Sequence, residues 1–208
     1  MNKEKARVED FSLEKLRAGD RAEFALLMDV YSGVVYRLGI KMLDDPQDAE
    51  DILQETFIKA YRYLGDFDGR SSLSTWLYRI ATNEALMLIR KRKNTPLSID
   101  EQLDQDLEIE KPFQIVDWCC LPEKEMMSAE ARRYMHQAVE QLSPNLRAVF
   151  VLRDIEGLST EETSRALNLS ESAVKTRLSR ARMRLRELLT AYFSERMAAQ
   201  GVAEAGDD

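Results

Sequence analysis

The chain has 208 residues, room for one ordinary domain or two small ones. With 44% hydrophobic residues it is not a wholly disordered chain, and with 32% charged residues and no run near the ~18 apolar residues of a membrane span it is not a membrane protein. The formal net charge of −7 looks wrong for a nucleic-acid binder, but the charges are segregated along the chain.

The first ten residues carry charges where a signal peptide needs an apolar segment, so a cytoplasmic location is expected. Ser12 can cap a short helix that stops at Gly19. Asp20 can cap the next, whose Phe24, Leu27, Met28 and Tyr31 recur at helical spacing. Asp45-Pro46 opens another helix, with Asp as N-cap and Pro in the first turn. It runs through Ala49, Ile52, Leu53, Phe57, Ala60 and Leu64 to Gly65. The loop GDFDGRSS leads to a helix starting near Ser74 and closing on Arg90-Lys91-Arg92-Lys93. Residues 10–93 read as one helical domain.

Pro96, Pro112 and Pro122 punctuate an acidic, weakly periodic stretch that reads as a linker over 94–127. Residues 94–130 hold 2 basic and 10 acidic side chains, whereas residues 1–93 balance at 16 of each. Cys119 and Cys120 are adjacent, which rules out an ordinary disulfide scaffold, and nothing nearby lowers a thiol pKa. His136 is the sole histidine; with the two cysteines it supplies too few ligands for zinc unless carboxylates help. No catalytic residue, metal or cofactor is expected.

A second helical domain is expected over 128–193, followed by a disordered tail over 194–208. Ser143-Pro144 reads as a cap for a helix NLRAVFVLRDIE that ends at Gly157. Ser159 and Glu162 form a capping box for a short helix, Asn168-Leu169 make a tight turn, and Ser170 caps a long basic helix. Short helix, turn and capped basic helix is the layout of a helix-turn-helix. Val174, Leu178, Ala181 and Leu185 form the apolar face of the last helix. Ser172, Lys175, Thr176, Ser179 and Arg180 lie opposite, at the end that enters a major groove. Arg182 and Arg186, further along, suit phosphates.

A helix-turn-helix alone suggests an ordinary repressor or activator. The N-terminal half argues otherwise, because Trp76, Tyr78, Arg79 and Asn83 interleave aromatic and polar groups on one helix, as unstacked bases require. Leu77 and Ile80 on that helix read as core, and Trp76 largely so. DAEDILQETFIKAYRYLGDF (48–67) followed by STWLYRIATN (74–83) closely resembles region 2 of extracytoplasmic-function (ECF) sigma factors of the sigma-70 family. LSPNLRAVFVLRDIEGLSTEETSRALNLSESAVKTRLSRARMRLRELL (142–189) resembles their region 4. The likeness covers about residues 10–190, and no globular region 3 stands between the two strings.

The resemblance implies an all-α protein of two small domains that binds core RNA polymerase and directs it to promoter DNA, without catalysis. It implies that Asp51, Gln54 and Glu55 dock on the polymerase. Lys59, Phe67, Tyr78 and Asn83 surround the pocket for a base flipped from the minus-ten element, which the loop Asp66–Leu73 reads; Arg70 on that loop and Arg79 join the minus-ten contacts. It assigns Ser172, Lys175, Thr176, Arg177, Ser179 and Arg180 to the minus-thirty-five element. The resemblance implies that the acidic linker threads the polymerase cleft, where the residues alone also allow a solvated tether, and an anti-sigma factor is a partner it leaves open. Two departures stand out: Arg79-Ile80 replaces the paired aromatics of primary sigma factors, and Ser179 stands where some relatives carry a large aromatic. The alternatives are a stand-alone helix-turn-helix regulator, or an anti-sigma or adaptor protein acting by protein contact alone.

Overall fold

Short polar side chains start most helices, and the apolar stripes behind them set how the helices pack. The computed structural model describes residues 11–92 and 129–204, with side chains for 11–92 and 133–190. Among the described residues there are eight α-helices and no strand. The acidic linker, Cys119 and Cys120 lie outside them.

In the N-terminal domain, α1 (Leu13–Arg17) is capped by Ser12 and α2 (Arg21–Leu43) by Asp20, whose carboxylate accepts the N–H groups of Ala22 (2.9 Å) and Glu23 (3.1 Å). Helix α3 (Pro46–Tyr63) starts as its sequence indicates, with Asp45 accepting from the Asp48 N–H at 3.0 Å and Pro46 in the first turn. A 3₁₀ turn, Leu64–Asp66, then tightens the chain into Phe67. Helix α4 (Leu73–Arg92) begins where the Ser72 hydroxyl accepts from the Thr75 N–H at 3.1 Å. Phe24, Leu27, Tyr31, Val35, Leu38 and Met42 of α2 pack against Ile52, Phe57 and Ala60 of α3 and Trp76, Leu77 and Ala81 of α4. Each such buried Leu or Phe contributes ~1.5–3 kcal/mol. Met28 stays out of this core at 39% exposure, because the stripe continues through residues 34, 35 and 38 rather than 28. Gly39 is required where α2 crosses α3: a Cβ there would lie 2.9 Å from the Ala49 Cα.

The C-terminal domain comprises α5 (Ala129–Glu140), α6 (Pro144–Phe150), α7 (Thr160–Leu167) and α8 (Glu171–Glu204). Ser143 occupies the cap position of α6, but its side chain makes no capping hydrogen bond. The helix expected to run from Asn145 to Gly157 widens into a π turn over Val151–Ile155, where the Glu156 N–H reaches the Val151 carbonyl at 2.8 Å. Gly157 then turns the chain at φ 74°. The Ser159–Glu162 capping box is present in both directions, at 3.1 and 2.7 Å. Asn168 takes the left-handed turn at φ 54°, and Ser170 caps α8 through the Ala173 N–H at 3.1 Å. Val174, Leu178, Ala181, Leu185 and Leu189 of α8 are buried. The helix continues to Glu204, past residue 193 where a tail was expected.

The two domains pack on each other. Ala148, Val151, Leu152, Leu158 and Ala166 share one buried cluster with Tyr78, Ala81 and the rest of the N-terminal core. Polar contacts border it. The Glu156 carboxylate accepts from Lys41 Nζ at 2.5 Å and from the Tyr78 hydroxyl at 2.8 Å. Arg147 donates to the Met42 carbonyl at 2.7 Å, and Arg165 to the Arg70 carbonyl at 2.6 Å.

Candidate nucleic-acid interface

Helix α8 presents a clean polar face at its N-terminal end. Ser172, Lys175, Thr176 and Ser179 are exposed, and Arg177 and Arg180 are half-buried beside them. The Thr176 hydroxyl donates to the Ser172 carbonyl at 3.0 Å. Arg182, expected to serve phosphates, is instead paired with Asp154 through two hydrogen bonds of 2.8 and 2.7 Å, and this bond raises its already high pKa. Its charge braces α8 against the π turn.

Asp51, Gln54 and Glu55 lie one turn apart on α3 and are all exposed. Ile58 continues that face at 44% exposure. Sequence reasoning passed over Ile58, yet its spacing of three and four from Glu55 and Gln54 is a readable signal: an apolar residue on an otherwise polar face.

The residues expected around a flipped base separate into two groups. Arg70, Arg79 and Asn83 are exposed, and Lys59 is half-buried in an ion pair with Glu84 at 2.6 Å. Arg70 folds back on Asp68, and its N–H and guanidinium hold that carboxyl below the usual carboxylate range. Phe67 and Tyr78, by contrast, are only 5% and 8% exposed. Phe67 packs on Trp76 with centroids 5.2 Å apart, and its carbonyl accepts from Arg17 at 2.5 and 2.9 Å. Tyr78 spends its hydroxyl on Glu156 of the other domain. Arg17 and Glu156 were not anticipated, since no local pattern connects residues 50 or 78 positions apart.

A cleft of about 430 Å³ lies between the domains. Asn83, Glu84, Met87 and Arg90 of α4 line one side, and Asn145, Leu169 and Arg177 line the other. Asn83 and Arg177, assigned to different DNA elements, thus share one cleft.

Residues 27–95 match the family description Sigma-70 region 2, and residues 132–185 match Sigma-70, region 4. The ECF RNA polymerase sigma factor SigW of Bacillus subtilis is 37% identical over 177 residues, covering 85% of this chain and 94% of the relative. The chain belongs to the ECF sigma factors of the sigma-70 family. Two solved structures are similar. One, CnrH in complex with the cytosolic domain of CnrY, is 25% identical with a TM-score of 0.60, covering 86% of this chain and 95% of that one. The other, the sigma factor RpoE of Bartonella quintana in complex with the anti-sigma factor NepR, is 25% identical with a TM-score of 0.58, covering 81% and 97%.

As an ECF sigma factor the protein binds core RNA polymerase and directs promoter-specific initiation, and it is not an enzyme. The stand-alone regulator falls away, because such a protein has no use for region 2. Among the described residues no helix is long and apolar enough to cross a membrane. In this sigma factor, helix α7 of region 4 reaches the loop before α4 in region 2, through Arg165 and the Arg70 carbonyl.

Proposed function

We propose that this cytoplasmic sigma factor docks on core polymerase through Asp51, Gln54, Glu55 and the exposed Ile58. It reads the minus-ten element with Lys59, Phe67, Arg70, Tyr78, Arg79 and Asn83. It reads the minus-thirty-five element with Ser172, Lys175, Thr176, Arg177, Ser179 and Arg180. On α8, exposed Lys175 can donate to guanine, and the methyl of exposed Thr176 suits a thymine methyl.

Both sets act only after the domains separate. The supporting observation is the shared cleft of Asn83 and Arg177. The two promoter elements lie about 25 base pairs apart, roughly 85 Å of duplex at ~3.4 Å per step. Residues 93–128, at ~3.3 Å each, span at most ~120 Å and permit that separation. Polymerase docking on α3 holds region 2 in place while region 4 moves to its own element. An anti-sigma factor, as bound by the RpoE relative, acts by preventing this change.

Energy transfer between dyes on exposed residues Tyr63 and Arg184 tests the reading, with and without core polymerase. High transfer in the free chain and its loss in the holoenzyme are expected. Equal transfer in both states overturns the opening step.

A further inference from the structure

Neither the polymerase face nor the DNA faces use the sole histidine. The fold supplies what its sequence neighbours lack. His136 sits on α5 one turn before Glu140, and its Nδ1 lies 3.0 Å from Glu140 Oε1. On the other side, Asp44 Oδ1 of region 2 lies 3.5 Å from His136 Nε2. One donor atom from each of the three side chains falls within 4.8 Å of the other two.

The donor set suits a cation, beside the positive charge that Arg147 already brings near both carboxylates. His and Glu at i and i+4 project from the same helix face, a spacing that metal-binding helices use. Asp44 is held by the backbone: it caps α2 in the left-handed region at φ 54°, with its N–H on the Ile40 carbonyl at 2.8 Å. The nearby guanidinium of Arg147 is bonded to backbone carbonyls, those of Met42 (2.7 Å), Leu142 (3.4 Å) and Glu140. Two carboxylates with oxygens within 4.8 Å of each other repel, and a divalent ion between them reverses that term. One imidazole and two carboxylates suit Zn²⁺, Co²⁺ or Ni²⁺, with water in the open position. All three side chains are partly exposed, between 32% and 50%, so an ion can reach them.

We propose that Asp44, His136 and Glu140 form a divalent transition-metal site that ties region 2 to region 4. The three donors come together only when the domains are packed, so the ion favours the packed arrangement by mass action.

The test uses the full chain with Cys119→Ser and Cys120→Ser, which removes competing thiolates. Co²⁺ is followed by visible absorption and Zn²⁺ by calorimetry. One ion per chain is expected, together with a rise in the Zn²⁺-dependent thermal midpoint. His136→Ala and Asp44→Asn should each weaken binding by ~10-fold or more, as loss of a ligand costs at least as much as loss of its outer-shell partner. Asn keeps the left-handed cap at position 44, so this variant leaves the backbone intact. Circular dichroism checks that both variants fold. No binding, or equal binding by His136→Ala, overturns the site. Binding kept by Asp44→Asn but lost in His136→Ala confines the ion to α5 and overturns the tie between domains.

Discussion

On α8 the side chains assigned to DNA, Ser172, Lys175, Thr176 and Ser179, stand in solvent. On α4 and the loop before it, Phe67 and Tyr78 are more than nine-tenths buried, and Tyr78 is bonded to the opposite domain. The exposed part of the proposed region 4 reader is therefore formed in advance, while its Arg177 lines the cleft between the domains. In region 2 the proposed reader includes Tyr78, which region 4 holds through Glu156, and Phe67, which Trp76 and Arg17 of region 2 itself cover. A duplex reader touches base edges in an intact groove and needs no internal rearrangement. A flipped-base reader needs an apolar pocket, and an apolar pocket left open to water is costly.

Leu152 and Leu185 test whether the domains are coupled as this comparison requires. Both are buried, but Leu152 belongs to the cluster shared by the two domains and Leu185 to a cluster within region 4. Either change to Ala should cost ~2–5 kcal/mol of stability, measured by denaturant unfolding. Leu152→Ala alone should split the transition into two steps. A single cooperative step for both variants would mean the shared cluster is not what couples the domains.

Glu156→Ala removes the carboxylate that accepts from the Tyr78 hydroxyl and the Lys41 ammonium. Loss of a hydrogen bond to a charged group costs ~1.5–3 kcal/mol. Single-stranded minus-ten DNA should therefore bind the free chain about tenfold tighter or more, by fluorescence anisotropy. Holoenzyme transcription should stay unchanged. Unaltered binding by the free variant would break the contrast drawn above.

Lys175→Ala should cost ~1–3 kcal/mol of discrimination at one position of the minus-thirty-five element. Arg186→Ala should weaken all promoters alike, as a phosphate contact does. Initiation rates across base-substituted promoters separate the two patterns. The smallest effect belongs to Ser159→Ala, which removes half of the capping box and should cost about 1 kcal/mol in thermal unfolding. It touches neither reader, so promoter choice should not move.

Much of each domain is legible in the sequence because helix starts are local. Asp20, Asp45-Pro46, Ser159 with Glu162, and Ser170 each bond a backbone N–H two or three residues on. The face of α8 follows from the 3.6-residue period alone. The partners that cross the chain are a different matter. Arg17 finds the Phe67 carbonyl, and Tyr78 finds Glu156, only because the helices have packed. Arg182 looked free for phosphate because Asp154 is 28 residues away. Met28 satisfies helical spacing on paper, but the stripe that wins is the one with more large apolar residues behind it.

The π turn over Val151–Ile155 also constrains how this sequence can change over evolutionary time. Asp154 and Glu156 are two residues apart, yet one braces α8 and the other reaches into region 2. A single-residue deletion that restored ordinary winding would rotate everything downstream by about 100°, the advance of one residue in an α-helix. Glu156 would then leave Lys41 and Tyr78, and the start of the helix-turn-helix would be re-aimed. Substitutions within this short segment can be absorbed one side chain at a time. A change in its length alters two interfaces at once, so insertions and deletions should be much rarer here than in the joint between the domains.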